Sequence, residues 1–201
     1  MPRTPAPGTR DRILGVASRL FYAHGVRAVG MSRIISEAGT GKNLLYQHFP
    51  TKADLVAAYL DQAAGRRADA AQRALDAAGE DPADRIVALV AEVGRVVDRP
   101  GFRGCAFRNY LAEFPDGAEG EDAAPTAVAR EYLARSRRRI EDLVGELDRA
   151  DPERLTERLW LLVDGLYVQA TYREAADRHL GVAAAVGLAR ELVAGSAMVR
   201  S

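Results

Sequence analysis

Residues 39–52 read GTGKNLLYQHFPTK and hold both lysines of the 201-residue chain, in a protein that otherwise carries its positive charge as arginine. Leu45 and Phe49 fall on one side of this stretch and polar side chains fall on the other, which predicts a short helix over residues 42–48. The decisive question is what a short helix with such a polar outer face does.

Capping signals frame the short helix. Gly41 is an acceptable N-cap for it, and Thr51 caps a long helix that is predicted over residues 52–78. Upstream, the spacing of apolar residues predicts helices over residues 9–24 and 31–38. Three helices within about forty residues, the last two joined by a glycine-containing turn, are typical of a helix-turn-helix module.

The rest of the chain also has the apolar spacing of helices and lacks the period-two alternation that marks a strand. Segments rich in Gly, Pro and Asp separate the predicted helices, which cover residues 82–98, 105–114, 126–148, 152–176 and 182–194. The segment PDGAEGEDAAP, residues 115–125, has no apolar anchor, so we expect it to be mobile and either to gate a pocket or to connect helices. The sequence therefore predicts an all-α protein with a disordered arm at residues 1–8, a helix-turn-helix domain at 9–55 and a helical domain at 56–201.

Composition limits the class of protein. With 48% hydrophobic and 28% charged residues, the chain is typical of a folded globular protein. No apolar run is long enough to span a bilayer, and the N-terminus lacks the apolar segment of a signal peptide, so we expect a cytoplasmic protein without membrane contact. Cys105 is the only cysteine, which excludes an intramolecular disulfide and indicates a buried core thiol.

Charge is unevenly distributed although the net charge is zero. Residues 1–60 carry eight Lys and Arg against three acids, a net charge of +5, and the other 141 residues carry 20 against 25, a net charge of −5. A basic N-terminal module indicates an anionic partner, although such a block can also be ordinary solvated surface.

The outward side chains of the short helix have the chemistry of a helix that enters the major groove of DNA. Asn43 and Gln47 can each donate to and accept from an adenine edge. Tyr46, His48 and Lys42 can hydrogen-bond to phosphate oxygens and set the register.

Lys52 adds a further cation in the first turn of the next helix. The helix dipole is already positive there, so a phosphate suits this position. Both lysines therefore stand where flexible point charges can hold the DNA backbone. From the spacing alone, an ordinary solvated helix remains the alternative.

This part of the chain resembles the DNA-binding domain of the tetracycline-repressor (TetR) family of transcription regulators. The similar region runs from Arg10 to Leu55, about a quarter of the chain, and includes AxxLFYAHGV, IISEAG and KNLLYQHFPTKADL. The block LYQHFPTKADL is specific, because it joins an aromatic residue, an HF pair and a lysine at fixed offsets. The resemblance implies a homodimer that binds palindromic operators as a repressor and releases DNA when a small molecule enters the C-terminal, effector-binding and dimerisation domain.

The resemblance also assigns DNA contacts by position. Ser32 and Arg33 match positions that touch the backbone or a neighbouring base, and the phosphate anchors are Tyr46, His48 and Lys52. The base-facing and groove-entry set is Thr40, Gly41, Lys42, Asn43 and Gln47. Gly30 departs from the usual Ser/Thr cap of the second helix, and Thr40-Gly41 departs from the usual Val-Ser/Thr. Because position 41 lacks a hydroxyl, one phosphate or base contact is lost and the operator sequence stays open.

The last two predicted helices each carry an apolar stripe. The two stripes consist of Leu155, Leu159, Leu162 and Leu166, and of Val182, Val186, Ala189 and Val193. These faces either pair with their symmetry mates in a four-helix bundle, as the resemblance implies, or pack within their own chain. A dimer would hold two recognition helices about one DNA turn, or a multiple of it, apart.

Aromatic rings with polar tips in the helical domain are typical of a small-molecule cavity. The candidate ligand-binding residues are Phe102, Phe107, Asn109, Tyr110, Tyr132, Trp160 and Tyr167. An ordinary core role is the alternative for each of them. Asn109 and Asp164 lie in apolar helical segments and need a polar partner, either a ligand or the backbone. Arg103 and Arg108 can attract an acidic effector.

Enzyme chemistry has little support in the sequence. The three histidines are widely separated, and no P-loop, HExxH or GxSxG motif occurs. We therefore expect no catalytic site, no metal and no cofactor. Two alternatives to a ligand-controlled repressor stay open: a regulator controlled by a protein partner, and a nonspecific architectural DNA binder with strongly salt-dependent affinity.

Overall fold

The computed structural model describes residues 8–195, apart from the side chains of residues 175 and 176. These residues contain no strand, which confirms the predicted all-α class. A short 3₁₀ helix spans Gly120–Asp122, and the α-helices are α1 Thr9–His24, α2 Met31–Glu37, α3 Lys42–His48, α4 Lys52–Ala77, α5 Pro82–Val97, α6 Ala106–Glu113, α7 Ala123–Gly145, α8 Pro152–Tyr172 and α9 Ala175–Ala194.

Two compact units divide the chain, Met1–Gly65 with Cys105–Tyr132 and Arg66–Gly104 with Leu133–Ser201. Helices α4 and α7 each contribute to both units. The domain boundary expected after residue 55 falls inside α4 and stays a prediction. The predicted arm lies outside the described residues except for Gly8, which is the N-cap of α1.

The first unit is organised around α1, which packs on both α2 and α3. Ile13, Ile34 and Leu45, one from each of the three helices, are fully buried. Phe21 of α1 meets Tyr59 of α4 with ring centroids 5.7 Å apart. The apolar spacing read from the sequence therefore corresponds to the inner faces of these helices.

The second unit has α5, α8 and α9 in mutual contact. Asp81 caps α5 by accepting a hydrogen bond from the backbone N–H of Ala83 at 2.7 Å. Gly94 of α5 lies so close to Val182 of α9 that a Cβ at position 94 would overlap the valine side chain. Close approach of α5 and α9 therefore depends on this glycine.

The predicted break between the last two helices was wrong. The predicted helices left residues 177–181 as the break, whereas α8 ends at Tyr172 and α9 begins at Ala175 and runs continuously through residue 181. Gly181 sits inside α9, where an added Cβ would lie 3.3 Å from the Gln169 side-chain oxygen. This glycine serves close packing of two helices and not a turn.

The segment 115–125 has more structure than the sequence indicated. The 3₁₀ turn occupies its middle, and α7 begins at Ala123, three residues before the predicted start. Pro125 is compatible with this because proline is tolerated in the first turn of a helix. The Tyr110 hydroxyl donates to the backbone oxygen of Asp122 at 3.5 Å, so the segment has a contact with α6.

Within residues 8–195, no helix combines the length and the apolar character that a bilayer crossing requires. The same residues contain no cluster of three or more His, Cys, Asp or Glu side chains that could hold a metal ion.

Candidate nucleic-acid interface

Helix α3 presents a polar outer face because its inner face is held by the core. Leu45 is fully buried and Phe49, its C-cap residue, is nearly so. The turn before α3 contains Gly39 with φ of 57°, a left-handed conformation that favours glycine. These constraints fix the direction in which the remaining side chains of the seven-residue helix project.

The outer face of α3 consists of four exposed side chains, Lys42, Asn43, Tyr46 and Gln47. Tyr46 is 37% exposed, so part of its side chain is accessible to a partner. The Lys42 Nζ lies 6.0 Å from the centroid of that ring, within cation–π range. Two amides, a cation and a phenol thus share one face.

Thr40 and His48 flank this face, and both are half-buried. The Oγ1 atom of Thr40 and the Nε2 atom of His48 are buried and have no hydrogen-bond partner among the described residues. Because neither atom is accessible at the surface, neither can meet a phosphate oxygen in this conformation, and the DNA contacts of Thr40 and His48 stay predictions.

Lys52 begins α4 immediately after a reciprocal cap. The Asp54 carboxylate accepts from the Thr51 N–H at 2.9 Å, and the Thr51 hydroxyl accepts from the Asp54 N–H at 3.0 Å. Burial lowers the pKa of Lys52, while the negative charges of Glu113 and Asp122 raise it. The cap is the one expected from the sequence, and the acidic neighbours of Lys52 are a feature that the sequence did not indicate.

Arg33 is exposed, but its guanidinium already contacts Glu37 and His24. Its Nε donates to Glu37 Oε1 at 3.0 Å, and its NH2 group lies 3.1 Å from His24 Nε2. The hydrogen bond from Arg33 is the main cause that lowers the pKa of the exposed Glu37 carboxylate below its usual value. The sequence analysis did not predict this ion pair, although the i,i+4 spacing of Arg33 and Glu37 is a visible signal.

The remaining predicted contacts lie near the ends of α2 and α3. Ser32 is exposed in the first turn of α2, whose N-cap is Gly30 in an extended conformation without a side-chain cap. Gly41 is the exposed N-cap of α3. The ten predicted DNA-contacting residues all belong to the first unit, on α2, on α3 with the two residues before it, and at the start of α4.

The predicted ligand-binding residues divide between the two units. Phe107, Asn109, Tyr110 and Tyr132 belong to the first unit, and Phe102, Trp160 and Tyr167 to the second. Phe107 stacks on Tyr132 with ring centroids 3.8 Å apart. Phe102 and Tyr167 lie 6.3 Å apart and are both buried. Four of the seven residues therefore form two ring pairs, and the role of all seven as ligand contacts stays a prediction.

An open cleft of ≈780 Å³ lies in the second unit and was not indicated by the sequence. None of the seven predicted ligand-binding residues lines it. Small side chains of α4 and α5 form much of its wall, among them Ala74 and Ala88, and its charged lining includes Arg73, Asp84, Glu92, Arg95, Arg99 and Arg190.

The residues predicted for a dimer interface are largely buried within one chain. Only Leu162, Val182 and Val186 are half-buried, whereas the fully covered members are Leu155, Leu159, Leu166, Ala189 and Val193. Covered side chains offer little surface to a second copy.

A different set of apolar side chains is exposed on the same two helices. This apolar row comprises Leu161, Val168 and Tyr172 of α8, which are 66%, 57% and 69% exposed, and Leu180 and Leu188 of α9, which are 58% and 45% exposed. Spacings of four, seven and eight residues place the members of each helix on one face. The sequence alone missed this row because both faces of α8 are rich in apolar residues.

Comparison with known proteins identifies the relatives of this chain. The family model of bacterial regulatory proteins, tetR family, matches residues 13–59. The chain is 28% identical to the HTH-type transcriptional regulator BetI of Rhizobium meliloti over 195 residues, which cover 93% of this chain and 88% of that protein. It is 40% identical to the HTH-type transcriptional activator FasR of Mycolicibacterium smegmatis over 60 residues, only 27% of that protein.

Solved structures agree with the sequence relatives. A TetR-family transcriptional regulator from Streptomyces coelicolor is 30% identical and superposes with a TM-score of 0.74, over 91% of this chain and 96% of that one. These relatives are transcription regulators and not enzymes.

Proposed function

Since this chain belongs to the TetR family of bacterial regulatory proteins and is a DNA-binding transcriptional regulator, we propose that it is a homodimeric repressor released from a palindromic operator by a small molecule. The observation that carries the proposal is the exposed outer face of α3, where two amide side chains accompany a cation and a phenol. Such a face matches the donors and acceptors of the major groove.

We propose that some side chains of this region contact base edges and that others contact phosphates. Asn43 and Gln47 read base edges, since each amide can form two hydrogen bonds with an adenine. Tyr46, His48 and Lys52 hold phosphates, since the phenol, imidazole and ammonium groups can each donate a hydrogen bond to a phosphate oxygen.

The apolar row supports a dimer. Five large apolar side chains are exposed on α8 and α9, and patches of this kind mark interaction sites in soluble proteins. We assign the contact with the second copy to the apolar row, flanked by the half-buried Leu162 and Val186. Two-fold symmetry then presents two copies of α3 to one palindrome.

The effector site is proposed for the second unit. The cleft of ≈780 Å³ falls within the usual size of a small-molecule site, and four arginines against two acids favour an anionic ligand. The buried Phe102–Tyr167 pair is the other candidate place in the second unit. Release requires the ligand to prefer a DNA-incompetent state, by roughly 5.5 kcal/mol for an almost complete shift.

The experiment is selection of fragments of the source genome by the purified protein at near-physiological salt, followed by footprinting of the best site. We expect a protected palindrome that binds at least about a hundredfold more tightly than random DNA. Uniform, salt-sensitive binding would favour an architectural binder, and native mass spectrometry would exclude an inducer carried through purification. Placing the operator upstream of a reporter gene then separates repression from activation.

A further inference from the structure

The turn between α1 and α2 is held by a carboxylate from far along the chain. Glu113, the last residue of α6, accepts a hydrogen bond from the backbone N–H of Val26 at 3.2 Å and another from the N–H of Arg27 at 2.9 Å. Each carboxylate oxygen takes one of two consecutive N–H groups. Hydrogen bonds to an ionised acceptor are roughly twice as strong as neutral ones.

The surrounding residues fit this arrangement closely. Gly25 has φ of 82°, and a Cβ added there would lie 2.9 Å from Glu113 Oε1. Beside it, the Arg27 guanidinium carbon lies 4.7 Å from the centroid of the Phe114 ring, within cation–π range. A glycine that leaves room, two backbone donors and an aromatic contact therefore converge on the end of α6.

The pinned turn leads directly into the DNA-binding helices. Val26 and Val29, on either side of Arg27 in this turn, are buried, and α2 begins two residues later at Met31. Because α2 packs on both α1 and α3, the position of the turn influences the direction of the outer face of α3.

We infer that Glu113 is a positioning residue for operator binding, which fixes the α1–α2 turn so that α3 is aligned for the major groove. The inference rests on the proposed function and concerns how that site is controlled. Tyr110 of the same short helix stacks on Phe114 with centroids 4.8 Å apart, so aromatic packing also holds the end of α6.

Electrostatics alone predicts the opposite effect of losing this carboxylate. Glu113 is a negative charge in the unit that carries the predicted phosphate contacts, and it acts on the charge of Lys52. Removal of a negative charge near a DNA-binding surface should strengthen binding to phosphates. The sign of the change therefore separates a positioning role from a simple charge effect.

The test compares Glu113→Gln with Glu119→Gln on the operator fragment selected by the parent protein. Glu119 is an exposed acid of the same unit whose side chain makes no cap hydrogen bond, so the change in charge is matched. We expect Glu113→Gln to weaken operator binding about tenfold, because the amide oxygen carries no charge and can accept from only one of the two N–H groups, while the amide NH2 group cannot accept from the other. Glu119→Gln should bind as tightly as the parent or slightly more tightly.

A second variant and a second measurement keep the test independent of folding. Glu113→Asp keeps the charge but is too short to reach both N–H groups, and it should also weaken binding. Hydrogen exchange should become faster at the amides of Val26 and Arg27 and stay unchanged at Leu45.

Two outcomes would overturn the inference. One is that Glu113→Gln binds the operator as tightly as Glu119→Gln. The other is faster exchange throughout α1 and α3, which would mean that Glu113 only stabilises the fold. If the parent had no preferred DNA site, the proposed function would fail, and exchange at Val26 and Arg27 would still decide whether Glu113 pins the turn.

Discussion

The outer face of α3 and the apolar row of α8 and α9 are exposed for opposite chemical reasons. On α3 the exposed groups are amides, a phenol and a lysine, and among them only Tyr46 is a large hydrophobic. On α8 and α9 they are aliphatic and aromatic side chains, up to 69% exposed. We propose that the first surface binds the polar, charged groove of DNA and that the second binds a copy of itself. Specific operator binding should therefore require two contacts at once: α3 with DNA, and the apolar row with a second copy of the chain.

Breaking the apolar row should have the largest effect. We expect Val168→Glu to produce a monomer and to weaken operator binding about a hundredfold, because the second DNA-binding domain then no longer binds at high effective concentration. Sedimentation analysis and operator titration measure the two effects. Ala68→Glu, at an exposed position of α4, introduces the same charge as a control. A dimeric Val168→Glu protein would show that the interface lies elsewhere.

Removal of a phosphate anchor should have the next largest effect. Tyr46→Ala is expected to weaken binding about tenfold on the operator and on random duplex alike, since phosphate contacts carry no sequence information. Tyr46→Phe keeps the ring and tests the hydroxyl alone. Binding of Tyr46→Ala as tight as that of the parent at the same salt would contradict the anchor assignment.

Substitution of Asn43 or Gln47 should change the preference for particular base pairs more than it changes the overall affinity for DNA. Gln47→Ala or Asn43→Ala should reduce discrimination at one or two base pairs by about 1–3 kcal/mol each, the usual value of a bidentate base contact. Repeating the fragment selection with each variant shows which position of the operator relaxes. An unchanged preferred sequence would assign base reading to other residues.

Removal of Glu37 should have the smallest effect, and in the opposite direction. Glu37→Gln releases Arg33 from its ion pair, so DNA binding should strengthen about twofold and the salt dependence should steepen by about one phosphate contact. Because the pKa of Glu37 is lowered, the ion pair is present above the ordinary value of 4.5 and is lost only as pH falls through the lower folded value. The variant therefore tests this pair at neutral pH, where acid does not disrupt it.

The sequence was most informative where local chemistry decides the structure. The N-cap at Thr51, the glycine before α3 and the inward side of Leu45 each follow from residues within one or two turns of one another. The α-helical class and the family followed from the same local patterns.

Features that depend on packing between distant segments could not be predicted from the sequence. Glu113 and Val26 are 87 residues apart, and nothing local to either residue indicates the hydrogen bond between them. The break between α8 and α9 was misplaced because Gly181 has the composition of a turn but the role of a packing contact. The exposed apolar row could not be separated from the buried one, since both have helical spacing.

The use of lysine has a practical consequence for chemical labelling. The chain has only two lysine side chains, the exposed Lys42 of α3 and the half-buried Lys52 at the start of α4. An amine-reactive reagent will therefore modify only these side chains and the terminal amine. Modification measured by mass spectrometry, with and without duplex, would then report occupancy of the DNA-binding surface in the wild-type sequence, without an engineered probe.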